Sequence, residues 1–346
     1  MAKKTDPVQA RGRARTAVGS QSPGARRDAH RRLRTPRAAA TAATLAIGLA
    51  LTGCGAPASA PATTGEPAAT DGPIVLTTFS VIADLVRQVA GDRAEVLSLT
   101  KPGVEIHGYE PTPSDLVRVH EADLVMDNGL GLERWFKRFV ADVDVPHVVL
   151  SEGIEPIDIV SGEYSGRPNP HAWMSPTAAK VYVDNAVAAL SDLSPEDAEY
   201  FAANGQAFKA ELDELAERTA AELPDDGAAL VTCEGAFSYL ARDLGLQEHS
   251  LWPVNSDVEG TPQQIRSQIE FVKDNDVPAV FCESTVNDGA QQQVAAATGA
   301  ELLGPLYVDS LSEQDGPVPD FLSLISHDLD VISAGLGDGP DPGDAE

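Results

Sequence analysis

Residues 195–222 read PEDAEYFAANGQAFKAELDELAERTAAE, with Ser194 in front of Pro195 and a single glycine, Gly205, inside the run. Serine before proline is a helix-start signal, and nothing after Pro195 breaks the pattern. At about 1.5 Å per residue such a helix measures roughly 40 Å, enough to cross a whole domain. The spacing predicts a rod joining two lobes.

The flanks agree with that reading. Before the rod, Ile74–Phe79 is a continuous apolar run suited to a buried parallel strand, and Ala94–Leu99, Leu124–Met126 and His147–Leu150 repeat the signal. Helices are predicted after Ser80, which is placed to cap a helix ended by Gly91, near Pro113–Glu121, near Leu132–Val140, and from Ser175-Pro176. After the rod the alternation resumes. Strands fall at Ala228–Cys233, Glu248–Pro253, Ala279–Cys282 and Glu301–Leu306, with helices from Ala236, Pro262 (capped by Thr261), Asn287 and Pro317. Alternating strands and helices predict an α/β fold with parallel sheets. The expected division is a first lobe at 73–193, the linking helix at 194–224, a second lobe at 225–335, and a disordered tail at 336–346.

Charge is unevenly spread. Of 25 Lys/Arg, eleven lie in residues 1–37 against two of the 53 Asp/Glu, so the rest of the chain carries 14 bases, 51 acids and a formal net charge of −37. Phosphate neutralisation needs a basic face, and a nucleic-acid partner is therefore excluded. The basic start runs into Ala38–Gly53, apolar, uncharged and too short to span a bilayer comfortably. It ends in Leu51-Thr52-Gly53-Cys54, which resembles a bacterial lipobox; a plain secretory signal with an incidental cysteine is the alternative. Residues 1–53 are thus expected to be a signal peptide and Cys54 the lipidated first residue, with 54–72, rich in Ala, Pro, Thr and Gly, as a flexible tether. Arg26-Arg27 and Arg31-Arg32 leave twin-Arg export open. The expected location is extracytoplasmic, anchored to the cell membrane by lipid alone, since no later segment approaches 18 apolar residues.

In open parallel sheets ligands bind beyond the carboxyl ends of strands. Four residues fall there: His107, His171, Glu234 and Asp309, two before the rod and two after it. Two imidazoles and two carboxylates suit a divalent first-row metal. The remaining histidines, His30, His120, His147, His249 and His327, read as structural or leader residues.

Several segments, in order, carry these residues: Thr77–Ala90 (TTFSVIADLVRQVA), Pro102–Asp115 (PGVEIHGYEPTPSD), Asn169–Pro176 (NPHAWMSP), Glu234–Tyr239 (EGAFSY), Glu259–Gln263 (EGTPQ), Glu283–Val286 (ESTV) and Tyr307–Leu311 (YVDSL). Together they resemble the metal-specific solute-binding lipoproteins of ABC importers for zinc, manganese and iron. The resemblance implies two pseudo-symmetric α/β lobes joined by one long helix, with His107, His171, Glu234 and Asp309 as ligands to one ion. It also implies a non-enzymatic, monomeric receptor that captures metal, closes partially, and delivers it to a permease powered by a separate ATPase. No GxxxxGK[ST] motif is present to supply that energy.

The third ligand bears on the metal. Zinc-importing members commonly carry His there and often a His-rich loop in the first lobe; this chain has Glu234, and Ser151–Pro170 contains no His. Manganese- and iron-type members carry Glu. A second carboxylate favours hard-ion coordination above four, so Mn²⁺ is expected, with Fe²⁺ or Zn²⁺ as alternatives. Cys233 and Cys282 each precede a strand-end acid and are open to three readings: a disulfide, two buried thiols, or a thiolate ligand favouring zinc. Glu283 is the expected carboxylate behind a ligating histidine, ahead of Glu110, Asp115 and Ser238, and Trp173 is expected to pack beside the site. Two other classes stand as alternatives. A metallohydrolase would need an open coordination position and a base, and a surface adhesin would need only display.

Overall fold

The computed structural model describes residues 72–139, 143–224, 227–254 and 260–337. The expected signal peptide, Cys54, nearly all of the tether, and the tail beyond Gly337 lie outside the described residues. No helix among the described residues is long and apolar enough to cross a membrane.

The first half is built from β1 (Ile74–Thr77), α1 (Ser80–Ala90), β2 (Glu95–Ser98), α2 (Pro113–Glu121), β3 (Leu124–Asp127), α3 (Phe136–Phe139), β4 (His147–Val149) and α4 (Pro176–Leu193). Its sheet is parallel throughout, in the order β2-β1-β3-β4, with Thr77 opposite Ser98 and Met126. β3 is buried along its whole length, as a parallel strand covered on both faces must be. After the long helix α5 (Ala198–Glu222) come β5 (Ala229–Glu234), α6 (Ser238–Leu244), β6 (Gln247–Trp252), α7 (Pro262–Asp274), β7 (Ala279–Glu283), α8 (Gly289–Thr298), β8 (Glu301–Leu306) and α9 (Phe321–Leu336). Here the strands form two parallel pairs, β5-β6 and β7-β8. β5 lies against β7, and the buried Gln291 amide ties the pairs together by donating to Val231 O (3.3 Å) and Phe281 O (3.0 Å). The fold is thus α/β, two lobes with parallel sheets and one long helix between them.

Several local expectations shift. The rod starts three residues late: Pro195–Asp197 form a 3₁₀ turn, and the α-helix proper is 25 residues long. Ser80 does not cap α1. The capping position is Phe79, without a side-chain cap, and the Ser80 hydroxyl instead accepts the Leu311 N–H (3.1 Å) and meets the Ser310 hydroxyl (3.3 Å) of the second half. Among the described residues α3 is Phe136–Phe139 and starts later than Leu132, because Leu130 and Gly131 turn through positive φ and the Glu133 carboxylate is drawn into the interior to accept from Thr78 and Asn128. α9 starts at Phe321, where Asp320 and Ser323 form a capping box, and runs to Leu336, so Leu336 belongs to the fold and not to the tail. A Cβ at Gly335 would sit 2.7 Å from the Phe281 ring, and its absence lets α9 close against β7 and β8.

Gly205 has the same logic. A Cβ there would lie 2.5 Å from Val187 Cγ2, so the one glycine in the rod makes room for α4 to pack against it. α5 packs on α1, α4 and α9, and one continuous apolar cluster takes in Phe79, Trp173, Tyr182, Tyr239, Val308 and Phe321 from both halves. Each such side chain contributes about 1.5–3 kcal/mol when fully buried. Polar ties reinforce the seam: Trp173 Nε1–H donates to Val308 O (3.1 Å), and the Phe321 N–H to Asp84 Oδ2 (2.8 Å).

Candidate metal centre

Each of the four singled-out residues sits beyond or at the end of a parallel strand. His107 lies in the excursion after β2, which is pinned to the second half by Gly103 N–H donating to Ser310 Oγ (2.6 Å) and Leu311 O (3.2 Å). The Glu105 carboxylate accepts the backbone N–H of His107 and, at 3.0 Å, that of Gly108, so the loop is held locally in spite of the small residue at 108. His171 follows Asn169-Pro170 and opens a 3₁₀ turn, after which Ser175 caps α4 by accepting the Ala178 N–H. Glu234 is the last residue of β5, and Asp309 follows β8 by three residues.

The structure brings all four together. One donor atom from each lies within 4.8 Å of the others. The two Nε2 atoms are 3.0 Å apart; His107 Nε2 is 3.9 Å from Glu234 Oε1 and 3.7 Å from Asp309 Oδ1, and His171 Nε2 is 3.6 Å from the same Asp309 oxygen. His171 and Asp309 are buried at 0% and 2% side-chain exposure, Glu234 at 8%, and His107 is the most accessible at 12%. Asp309 Oδ1 is buried without a hydrogen-bond donor. Burial alone would raise its carboxyl, but the two imidazoles facing it hold it below the ordinary carboxylate value. A buried acceptor aimed at two imidazole nitrogens, with a second carboxylate alongside, is a nitrogen/oxygen donor set for a divalent cation.

His171 is oriented from behind. Its Nδ1–H donates to Asn169 Oδ1 at 2.9 Å, which leaves the Nε2 lone pair facing the other three donors. The same amide donates through Nδ2 to Gly235 O (2.7 Å) and Ser238 Oγ (3.0 Å), next to Glu234. Sequence reasoning passed over Asn169, and also Glu105; the available signal was a side-chain oxygen two residues before each histidine, the spacing of a local side-chain-to-backbone turn.

Glu283 has a different job from the expected one. It accepts the Glu234 backbone N–H through both oxygens, at 3.2 and 3.3 Å, and among the described residues it bonds no histidine. Burial first, and the Glu234 charge second, push its carboxyl well above the ordinary value. Ser238 hydrogen-bonds Asn169 and Glu248, and Asp115 serves the capping box of α2. Cys233 and Cys282 are joined as a disulfide between β5 and β7, which leaves no thiol at the centre. Trp173 is buried with its ring 5.0 Å from that of His171. His147 bonds Asp127 (2.9 Å), and His249 stacks on Phe271, away from the four donors.

Residues 75–335 match the family described as Zinc-uptake complex component A periplasmic. The chain belongs to this family. Among relatives, the iron-binding protein YfeA of Yersinia pestis is 47% identical over 267 residues, covering 76% of this chain and 86% of that protein. The manganese-binding lipoprotein MntA of Halalkalibacterium halodurans is 33% identical over 298 residues, covering 84% and 96%. In structure, the Mn-bound periplasmic metal binding protein from Candidatus Liberibacter asiaticus is similar at a TM-score of 0.71 and 34% identity, covering 76% of this chain and 99% of that one. Zinc-uptake component A proteins are solute-binding proteins that work with an ABC permease and its ATPase. The chain is accordingly a metal-binding receptor of an importer and not an enzyme.

Proposed function

We propose that this receptor captures one manganese ion outside the membrane, through His107, His171, Glu234 and Asp309, and presents it to the permease while tethered by a lipid on Cys54. The observation that carries the reading is the convergence of two imidazole nitrogens and two carboxylates within 4.8 Å of one another in a buried pocket spanning the two halves. Glu234 and Asp309 offer four hard oxygens between them, more than a tetrahedral zinc site uses, and the cysteines that would favour zinc are bound to each other. Zinc still outbinds manganese at any shared nitrogen/oxygen site, so preference rests on coordination number and availability.

Ferrous ion is the second reading, supported by the 47% identical relative named for iron. The test is the metal content of protein purified from its native host, read with anomalous scattering at the bound ion. Manganese at one equivalent supports the proposal, iron moves it to the second reading, and a site filled elsewhere than at the four donors removes the ligand assignment.

A further inference from the structure

Between β4 and His171 the chain makes a small hairpin. Asp158 bridges Pro168, Ile159 N–H donates to Arg167 O (2.8 Å), and Gly166 N–H returns to Ile159 O (2.9 Å). Ile159 is buried at 5% exposure and anchors the base, while its neighbour Val160 is 92% exposed, the most exposed large apolar side chain among the described residues. On the same hairpin the Tyr164 ring is flanked by two guanidiniums, Arg134 at 4.5 Å and Arg167 at 5.2 Å.

Of the four arginines that lie over an aromatic ring among the described residues, Arg93 and Arg242 also meet carboxylates, whereas Arg134 and Arg167, both exposed, meet none. Glu163 lies on the same turn but pairs with neither. In a segment with 51 acids and 14 bases, an unpaired, preformed Arg–Tyr–Arg platform beside a bare valine has the composition of an interface centre. Its position gives it reach to both halves. Gly162 packs so closely on Pro253, just past β6, that a Cβ would lie 2.5 Å from its ring, and His171 follows the hairpin's closing residue by three positions.

We propose that the Val160–Arg167 hairpin with Arg134 is the seat of the importer's membrane-spanning subunit, which engages it through an acidic extracytoplasmic segment. This rests on the receptor reading above. Guanidiniums held against a ring present their N–H edges in a fixed fork that suits carboxylates. A lipid surface fits less well, because the chain's net acidity is repelled by an anionic leaflet while a local acidic segment can meet the platform alone.

The test uses the full-length protein in its host. A deletion strain is complemented with wild type, R134E/R167E, or Val160→Asp, and uptake of ⁵⁴Mn²⁺ and ⁵⁵Fe²⁺ is measured beside the Mn²⁺ affinity of each purified protein. The expected result is a tenfold or greater fall in uptake for both variants, with the Kd within twofold of wild type. Unchanged uptake in either variant overturns the proposal. Binding of the wild type to phosphatidylglycerol vesicles that disappears in R134E/R167E also overturns it, since the occupant is then lipid. Normal uptake in the deletion strain removes the receptor reading itself, and the docking surface with it.

Discussion

Asn169 Oδ1 accepts both the backbone N–H of His171 (3.1 Å) and the Nδ1–H of its ring (2.9 Å), so one amide oxygen sets the position and the tautomer of an imidazole that has no solvent exposure. Its nitrogen meanwhile reaches the carbonyl of Gly235 beside Glu234, which makes the side chain a strut between the two halves of the centre. Partners of this kind typically cost 10–100-fold in metal affinity when removed. Asn169→Ala is expected to weaken Mn²⁺ binding within that range while the protein stays folded; calorimetric titration reads it, and an unchanged Kd would refute the orienting role.

His107→Ala and Asp309→Ala are expected to abolish tight binding, and with it the thermal stabilisation by metal, which is about 2.7 kcal/mol at 100 times Kd. A melting shift equal to wild type in either variant counts against the ligand set. Glu234→His exchanges hard oxygens for one nitrogen, and competition titration is expected to show preference moving toward zinc.

Gly205→Ala tests the crossing of α4 over the rod. Alanine is the better helix former by about 1 kcal/mol, but its methyl would meet Val187 Cγ2 at 2.5 Å. Overpacking a tight contact costs about 1–3 kcal/mol. The expected sign is destabilisation in urea unfolding, and a gain in stability would mean that the two helices separate without cost.

Glu133 carries a pH prediction. Burial, and then the nearby Asp127 charge, lift its carboxyl from an ordinary 4.5 to about 7. One oxygen accepts from Thr78 and Asn128, and the other is buried without a donor. The folded value lies above the unfolded one, so the neutral carboxyl contributes stability that is complete below pH 4.5 and is lost as pH rises through about 7. Glu133→Gln is expected to flatten that loss, and denaturant unfolding of the metal-free protein at pH 5 and pH 8 should show a smaller difference for the variant than for wild type.

The disulfide closes a loop with a sequence separation of 49 residues. In the chain-entropy picture its reduction lowers stability by about 4 kcal/mol. Alkylation without reduction, followed by mass spectrometry, is expected to label neither Cys233 nor Cys282. Two labelled thiols would remove the bridge.

The sequence made the rod and the site visible for different reasons. A 28-residue run with one glycine and its only proline at the start has few ways to fold, although Pro195 suits a 3₁₀ turn as well as a first helical turn, and the true start is Ala198. His107, His171, Glu234 and Asp309 could be picked out as polar residues beyond strand ends, but it was the family resemblance of the segments around them that joined them into one set. Glu283 was legible as a supporting carboxylate but not in its role, since motif adjacency does not say whether it meets an imidazole or the Glu234 backbone. The bond from His171 to the Asn169 oxygen has a local, two-residue spacing that was there to be read, whereas the reach of the same amide across 66 positions of chain to Gly235 leaves no such mark. The late start of α3 reflects tertiary override: Glu133 turns inward to Thr78, and the helical pattern from Leu132 gives way.

The apolar seam shared by both halves has a consequence for release. Extensive apolar interfaces suppress relative domain motion, and here Trp173, Tyr239, Val308 and Phe321 belong to one uninterrupted interior. A clam fused along its shells does not gape. Of the four converging side chains, His107 is the most solvent-touched and the one carried on an irregular strip, Pro102 to Thr112, so the centre is opened to water with least damage to the shared interior by shifting that strip.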